Sequence, residues 1–183
     1  METTLVVLPR VKAADFVAQS ASEDDSDLEP GDPAFYALTD FRRTRAGTVE
    51  SYASIDAALA EMDRLGVRAL LVTQHAPYEE DSQVVGLITE YDIRRERPYR
   101  FDRSPLFIKP KACRVGDVMT PSEELSLVHF ESLRSLTAFE VYAMFRGTGL
   151  THLLVIEPQG DDLHVARGLL SRATLARRLL AFA

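Results

Sequence analysis

A single cysteine, Cys113, is all the thiol this chain has. It forbids an intrachain disulfide and suggests no thiol-based metal site. Long apolar runs are equally lacking. No segment nears the ~18 uninterrupted apolar residues that span a bilayer. The N-terminus has neither the basic start nor the apolar stretch of a secretory signal, its early apolar run being only Leu5–Leu8. The cytoplasm is therefore the expected compartment, and no membrane partner is expected. Positive charge is in deficit: 21 Lys and Arg stand against 28 Asp and Glu, a formal charge of −7. That balance repels nucleic acid and anionic lipid, so no nucleic-acid partner is expected either.

Catalytic and metal-binding motifs are missing as well. His75, His129, His152 and His164 include no pair spaced four apart, and none has a carboxylate at a zinc-motif spacing. The acidic run Asp25, Asp27, Glu29 fails as a calcium loop, because Pro30 replaces the required Gly and Tyr36 the bidentate Glu. The glycines of RGTGLTH lack the Lys-Ser/Thr of a phosphate loop. No nucleophile elbow or kinase signature is present, so no enzyme, no metal and no catalytic cofactor are expected.

What the chain does have is an internal repeat. Its 183 residues suit one domain or two small ones, and 46% apolar with 27% charged residues is ordinary for a globular protein. Ser54–Val72, SIDAALAEMDRLGVRALLV, aligns without a gap on Thr137–Val155, TAFEVYAMFRGTGLTHLLV. Each begins with a hydroxyl residue fit to cap a helix N-terminus. Apolar residues follow at helical spacing, Ile55, Leu59 and Met62 in one, Val141, Met144 and Phe145 in the other. Gly66 and Gly149 stand where a left-handed cap would stop each helix, and a short buried strand follows. Past a polar loop, Val84–Ile93 (VVGLITEYDI) matches Ala166–Leu175 (ARGLLSRATL), with Gly86 on Gly168. Both read as a strand turning into a last helix, with Thr89 or Ser171 as N-cap.

The remaining segments sort by composition. Residues 1–34 read as an N-terminal segment leading into an acidic, Pro- and Gly-bearing stretch, Ser20–Pro33, expected to be a flexible connector. The first repeat spans 35–98, a proline-marked linker 99–114, and the second repeat 115–183. The second carries extra residues, Ser122–Ser135, whose apolar members Leu125, Leu127, Val128, Phe130 and Leu133 should pack. Arginines cluster at Arg42, Arg43 and Arg45 and at Arg94, Arg95, Arg97, Arg100 and Arg103. They meet either an anionic small molecule or only solvent.

The capped helix ending in Gly, the apolar strand, GLITEYD, and VGDVMTP ahead of the second copy resemble the cystathionine-β-synthase (CBS) domain over about residues 35–180. The resemblance implies an α+β sandwich-type fold. Two tandem repeats, each a small sheet packed with two helices, would form one pseudo-two-fold module, and such modules commonly dimerise. It also implies that an adenosine nucleotide (AMP, ADP or ATP) binds in a cleft between repeats. By that pattern Asp92 would hold ribose hydroxyls and Thr89 a phosphate or ribose oxygen, with the backbone of Val67, Arg68 and Ala69 reading adenine. In the second copy Ser171 keeps the hydroxyl, but Thr174 stands where Asp is expected, which predicts a weaker or empty site. Thr151 and His152 could line it, and Arg167 and Arg172 could supply charge. The plainer alternative is that Thr89 and Asp92 only cap their helix. The function expected is a stand-alone regulatory module, a homodimer that signals to a separate effector protein. The alternative is a ligand-free dimerisation scaffold with vestigial clefts.

Overall fold

The computed structural model describes residues 11–13, 26–75, 82–94, 113–159 and 163–179. Leu5–Leu8, and Arg95, Arg97, Arg100 and Arg103 of the second arginine cluster, lie outside the described residues. The strands are β1 (Val11–Ala13), β2 (Thr39–Asp40), β3 (Thr48–Glu50), β4 (Ala69–His75), β5 (Ser82–Thr89), β6 (Thr120–Pro121), β7 (Leu127–His129), β8 (His152–Pro158) and β9 (His164–Ser171). The helices are α1 (Ile55–Leu65), α2 (90–94), α3 (Phe130–Leu133), α4 (Ala138–Thr148) and α5 (Arg172–Leu179). The fold is mixed α+β, as expected.

Two compact units emerge. One joins Met1–Lys12 to Ala46–Leu125, the other Ala13–Arg45 to Ser126–Ala183. The local signals act as the sequence predicts. Ser54 Oγ accepts the Ala57 N–H at 3.1 Å, and Thr137 Oγ1 accepts that of Glu140 at 3.2 Å. Gly66 and Gly149 end their helices with φ of 67° and 75°, a left-handed backbone that L side chains rarely adopt.

In the first unit β3 runs parallel to β4, and β4 pairs antiparallel with β5. Helix α1 buries Ile55, Ala58 and Met62 with Leu70, Val72, Ile88 and Ile93. In the second unit β7, β8 and β9 repeat that order, and Ala138, Val141 and Phe145 of α4 join Leu153, Val155 and Leu170. Even the irregularity repeats: the β4–β5 register shifts after Val72, the β8–β9 register after the equivalent Val155. Burying the Val, Leu, Ile, Met and Phe side chains named here, at about 1.5–3 kcal/mol each, is what holds these short elements.

The expected contiguous boundaries, 35–98 and 115–183, mark sequence repeats and not compact units. The segment ahead of each copy packs in the other's unit. Residues 34–37, a turn of 3-10 helix, bury Ala34 and Ala37 in the second unit's core, and β2 pairs with β9. Residues 115–117 bury Val115 in the first unit's core, and β6 pairs with β5. The glycines explain how this is possible. A Cβ on Gly86 would lie 2.6 Å from the Thr120 carbonyl oxygen, and one on Gly168 2.5 Å from that of Thr39. Only a residue without a side chain lets the incoming strand so close.

Two further expectations change. The stretch Ser20–Pro33 was to be a flexible connector, yet residues 26–33 are held to the second unit. Leu28 is 2% exposed within its core, the Leu28 N–H donates to the Arg178 carbonyl at 3.0 Å, and Arg178 Nε donates to the Ser26 carbonyl at 2.7 Å. One leucine and a set of backbone bonds outweigh an acidic composition. The supposed extra residues Ser122–Ser135 do pack, through buried Leu133, but most have counterparts, since β7 stands where β3 stands. What is added is the turn of helix α3, just before the cap of α4.

Candidate functional site

The chemistry predicted for the first copy sits where β5 becomes α2. Thr89, the last residue of β5, is buried. Its hydroxyl donates to Asp92 Oδ2 at 2.6 Å and its backbone N–H donates to the same oxygen at 3.1 Å. The Asp92 N–H donates back to Thr89 Oγ1 at 3.1 Å. This is a reciprocal capping box, which satisfies N–H groups that the helix start leaves orphaned. It uses one carboxylate oxygen of Asp92, Oδ2; Oδ1 takes no part in it.

The segment expected to read adenine, Val67–Ala69, lies beside this turn. Ala69 is in register with Thr89, and the Glu90 N–H donates to the Arg68 carbonyl at 3.0 Å. Val67 and Ala69 are half-buried and Arg68 exposed, while the Val67 N–H is taken by the Met62 carbonyl at 3.0 Å. Thus Val67, Arg68, Ala69, Thr89 and Asp92 come together on one edge of the first unit. Sequence reasoning did not single out Glu90, and it left Arg94 to an anionic small molecule or to solvent. Glu90 is ion-paired with Arg94 one turn on and lies 3.9 Å from Arg68 across the turn.

The equivalent turn of the second unit keeps the backbone and changes the side chains. The Arg172 N–H donates to the Thr151 carbonyl at 2.9 Å, and His152 is in register with Ser171. The Thr174 N–H reaches Ser171 Oγ only at 3.5 Å, at the limit of a hydrogen bond. No acidic residue stands in the first turn of α5. Thr151 Oγ1 lies 3.1 Å from His152 Nδ1. These four residues are together, without the carboxylate that makes the first turn a polar clasp. Among the described residues no group of three or more His, Cys, Asp or Glu is placed to hold a metal ion, and no helix is long and apolar enough to cross a membrane.

The CBS domain family model matches residues 32–99, which is the span that carries the turn just described. The same strand–strand–helix plan follows a second time in residues 127–179. Residues 32–99 are a CBS domain, and residues 127–179 repeat its plan. Its fold matches a putative signal-transduction protein with CBS domains from Burkholderia ambifaria at 25% identity and TM-score 0.51, covering 75% of this chain and 84% of that one. CBSX2 of Arabidopsis thaliana, in a complex with AMP, matches at 21% identity and TM-score 0.50, covering 82% and 98%. The CBS domain of a bacterial CNNM/CorC family Mg2+ transporter, in complex with ATP, matches at 13% identity and TM-score 0.53, covering 82% and 89%. No curated protein matches this chain significantly.

In the second repeat Arg167 is not available to a ligand in the way its charge suggested. Its guanidinium donates to both oxygens of Asp40, at 2.9 and 2.6 Å, and lies 3.4 Å from Glu157 and 4.5 Å from the centre of the Phe130 ring. Arg42 of the first arginine cluster also donates to Glu157, at 2.6 Å. Burial pushes the Asp40 carboxyl up, but the bonds from Arg167 and the Arg42 backbone N–H outweigh it and hold the group below its ordinary range. The bond to Asp40 raises Arg167 in turn. This network fastens β2 to β9. Sequence reasoning missed it because Asp40 and Arg167 are 127 positions apart.

Proposed function

We propose that this chain is a regulatory CBS-pair module whose first repeat binds an adenosine nucleotide (AMP, ADP or ATP) at the Thr89–Asp92 turn. The observation that carries the reading is the placement of Thr89, Asp92 and the Val67–Ala69 backbone on one edge of the first unit. A carboxylate receives two vicinal ribose hydroxyls, which suits the nucleoside part of such a ligand. Relatives in the same fold carry AMP and ATP, which supports this ligand class. In the second repeat, Thr174 supplies no carboxylate, so Ser171, Thr174, Thr151 and His152 form the weaker or empty counterpart.

A ribose that takes both oxygens of Asp92 must compete with Thr89 for Oδ2. Binding therefore trades a helix-capping bond for a ligand bond, and the start of α2 differs between the free and bound states. Such a difference in affinity between two states is what a ligand needs to shift an equilibrium. The signal passes to a separate effector protein or to the interface of a homodimer, in the cytoplasm. The module regulates and performs no chemical step.

A second reading has its own support. Asp92 is already satisfied by Thr89, as a residue with a purely capping role would be, and the repeats then serve as a ligand-free dimerisation scaffold. Thermal unfolding against AMP, ADP, ATP, S-adenosylmethionine and GTP separates the two. A ligand at 100 times its Kd adds about 2.7 kcal/mol, or about 5–10 °C in a chain this long. A shift with one adenosine compound, lost in Asp92→Ala measured against that variant's own ligand-free Tm, supports the sensor. No shift with any compound leaves the scaffold.

A further inference from the structure

We infer that Glu90 is a built-in competitor for ligand phosphate, which makes the first-repeat site prefer adenosine ligands of low negative charge. The inference rests on the nucleotide-binding reading of the Thr89–Asp92 turn. Glu90 follows Thr89 directly, and its backbone N–H is already given to the Arg68 carbonyl at 3.0 Å. Its carboxylate lies between two arginines: Oε1 accepts from Arg94 Nη2, and Oε2 is 3.9 Å from Arg68 Nη1. Both arginine side chains are mostly exposed, at 87% for Arg68 and 76% for Arg94, whereas Glu90 is 27% exposed. The cations are thus the movable partners and the carboxylate the fixed one.

A phosphate approaching this turn meets one arginine, Arg94, already paired with Glu90, and a second, Arg68, 3.9 Å from the same carboxylate. To recruit either, it must displace Glu90, and it is repelled by Glu90 and Asp92 while doing so. A ribose feels none of this, because its hydroxyls are neutral. The penalty therefore grows with each phosphate and leaves the nucleoside part untouched. The second repeat has the opposite sign at the equivalent place, where Arg172 follows Ser171 with no acid in the turn. The carboxylate is accordingly a feature of the first site and not a requirement of the strand–helix turn.

Glu90→Gln in the full chain, titrated calorimetrically with AMP and ATP at low ionic strength, reads the effect. Two unit charges about 7 Å from the removed one give about a five- to tenfold rise in the ATP-to-AMP affinity ratio. The rise should shrink as salt is added. Glu131→Gln, which removes the same charge beside Arg134 on the other unit, should leave the ratio alone. Arg68→Gln should move the ratio the other way. If wild type binds AMP and Glu90→Gln leaves the ratio as it was, the role of Glu90 is overturned while the binding site stands. If wild type binds neither nucleotide, the site itself is refuted and this inference with it.

Discussion

Replacing Gly86 by Ala tests the way this fold is assembled. A Cβ there would lie 2.6 Å from the Thr120 carbonyl oxygen and 2.8 Å from Met119 Sδ. The sulfur belongs to a side chain that can turn away, but the oxygen belongs to β6, which is paired with Gly86 at Pro121. The added carbon must therefore push the strand off by most of an ångström. Overpacking of this kind costs about 1–3 kcal/mol, or about 2–12 °C in Tm for a chain this long. Because Val115 and Val118, which belong to the same segment, lie in the first unit's core, the loss should fall at the upper end. Gly147→Ala is the control: nothing lies within 4 Å of its added carbon. In the last turn of α4 it should be neutral or raise Tm by about 1–3 °C. Calorimetry or circular dichroism melts of both variants decide the matter. A Gly86→Ala protein as stable as wild type would refute the close crossing of β6 over β5.

Two further outcomes follow from the second unit. Asp40→Asn should cost about 1–2 kcal/mol near pH 7, since it breaks a largely sheltered two-bond pair with Arg167. The Asp40 carboxyl sits below its ordinary value in the fold, so its contribution is complete above about pH 4 and lost as pH falls through the folded value. The stability difference from wild type, measured by urea melts at stepped pH, should accordingly close in acid; a difference that widens there would contradict the assignment. Leu28→Ala should cost about 2–4 kcal/mol and speed proteolytic cleavage of residues 26–33. Cleavage at the wild-type rate would mean that Leu28 does not anchor that stretch.

Much of the fold was legible because its signals are local. Ser54, Thr137, Gly66 and Gly149 each act on their own helix, and a hydroxyl or a missing Cβ does the same work wherever the chain places it. The alignment of the two copies exposed the order of helix, strand, strand and helix for a related reason: one pattern seen twice is read twice. The candidate site was legible in part. Thr89 and Asp92 are three residues apart, so their meeting is a matter of helix geometry. Whether that meeting serves a cap or a ligand cannot be read from spacing that suits both.

Tertiary structure decided the rest, through contacts that no local pattern encodes. The assignment of β2 to the second unit and β6 to the first depends on which sheet edge is open and which glycine lets a backbone approach, and Gly86 looks the same in sequence whether or not a strand crosses it. The fate of Arg167 depended on Asp40, Glu157 and Phe130, brought together from three places in the chain. Leu28 became core in a stretch whose composition argued for solvent. By itself the sequence determined where the two repeated helices and the strands after them start and stop, because caps and periodicity act within a few residues. The partners of each charge and the owner of each segment were settled only by folding, because burial and electrostatics act through space.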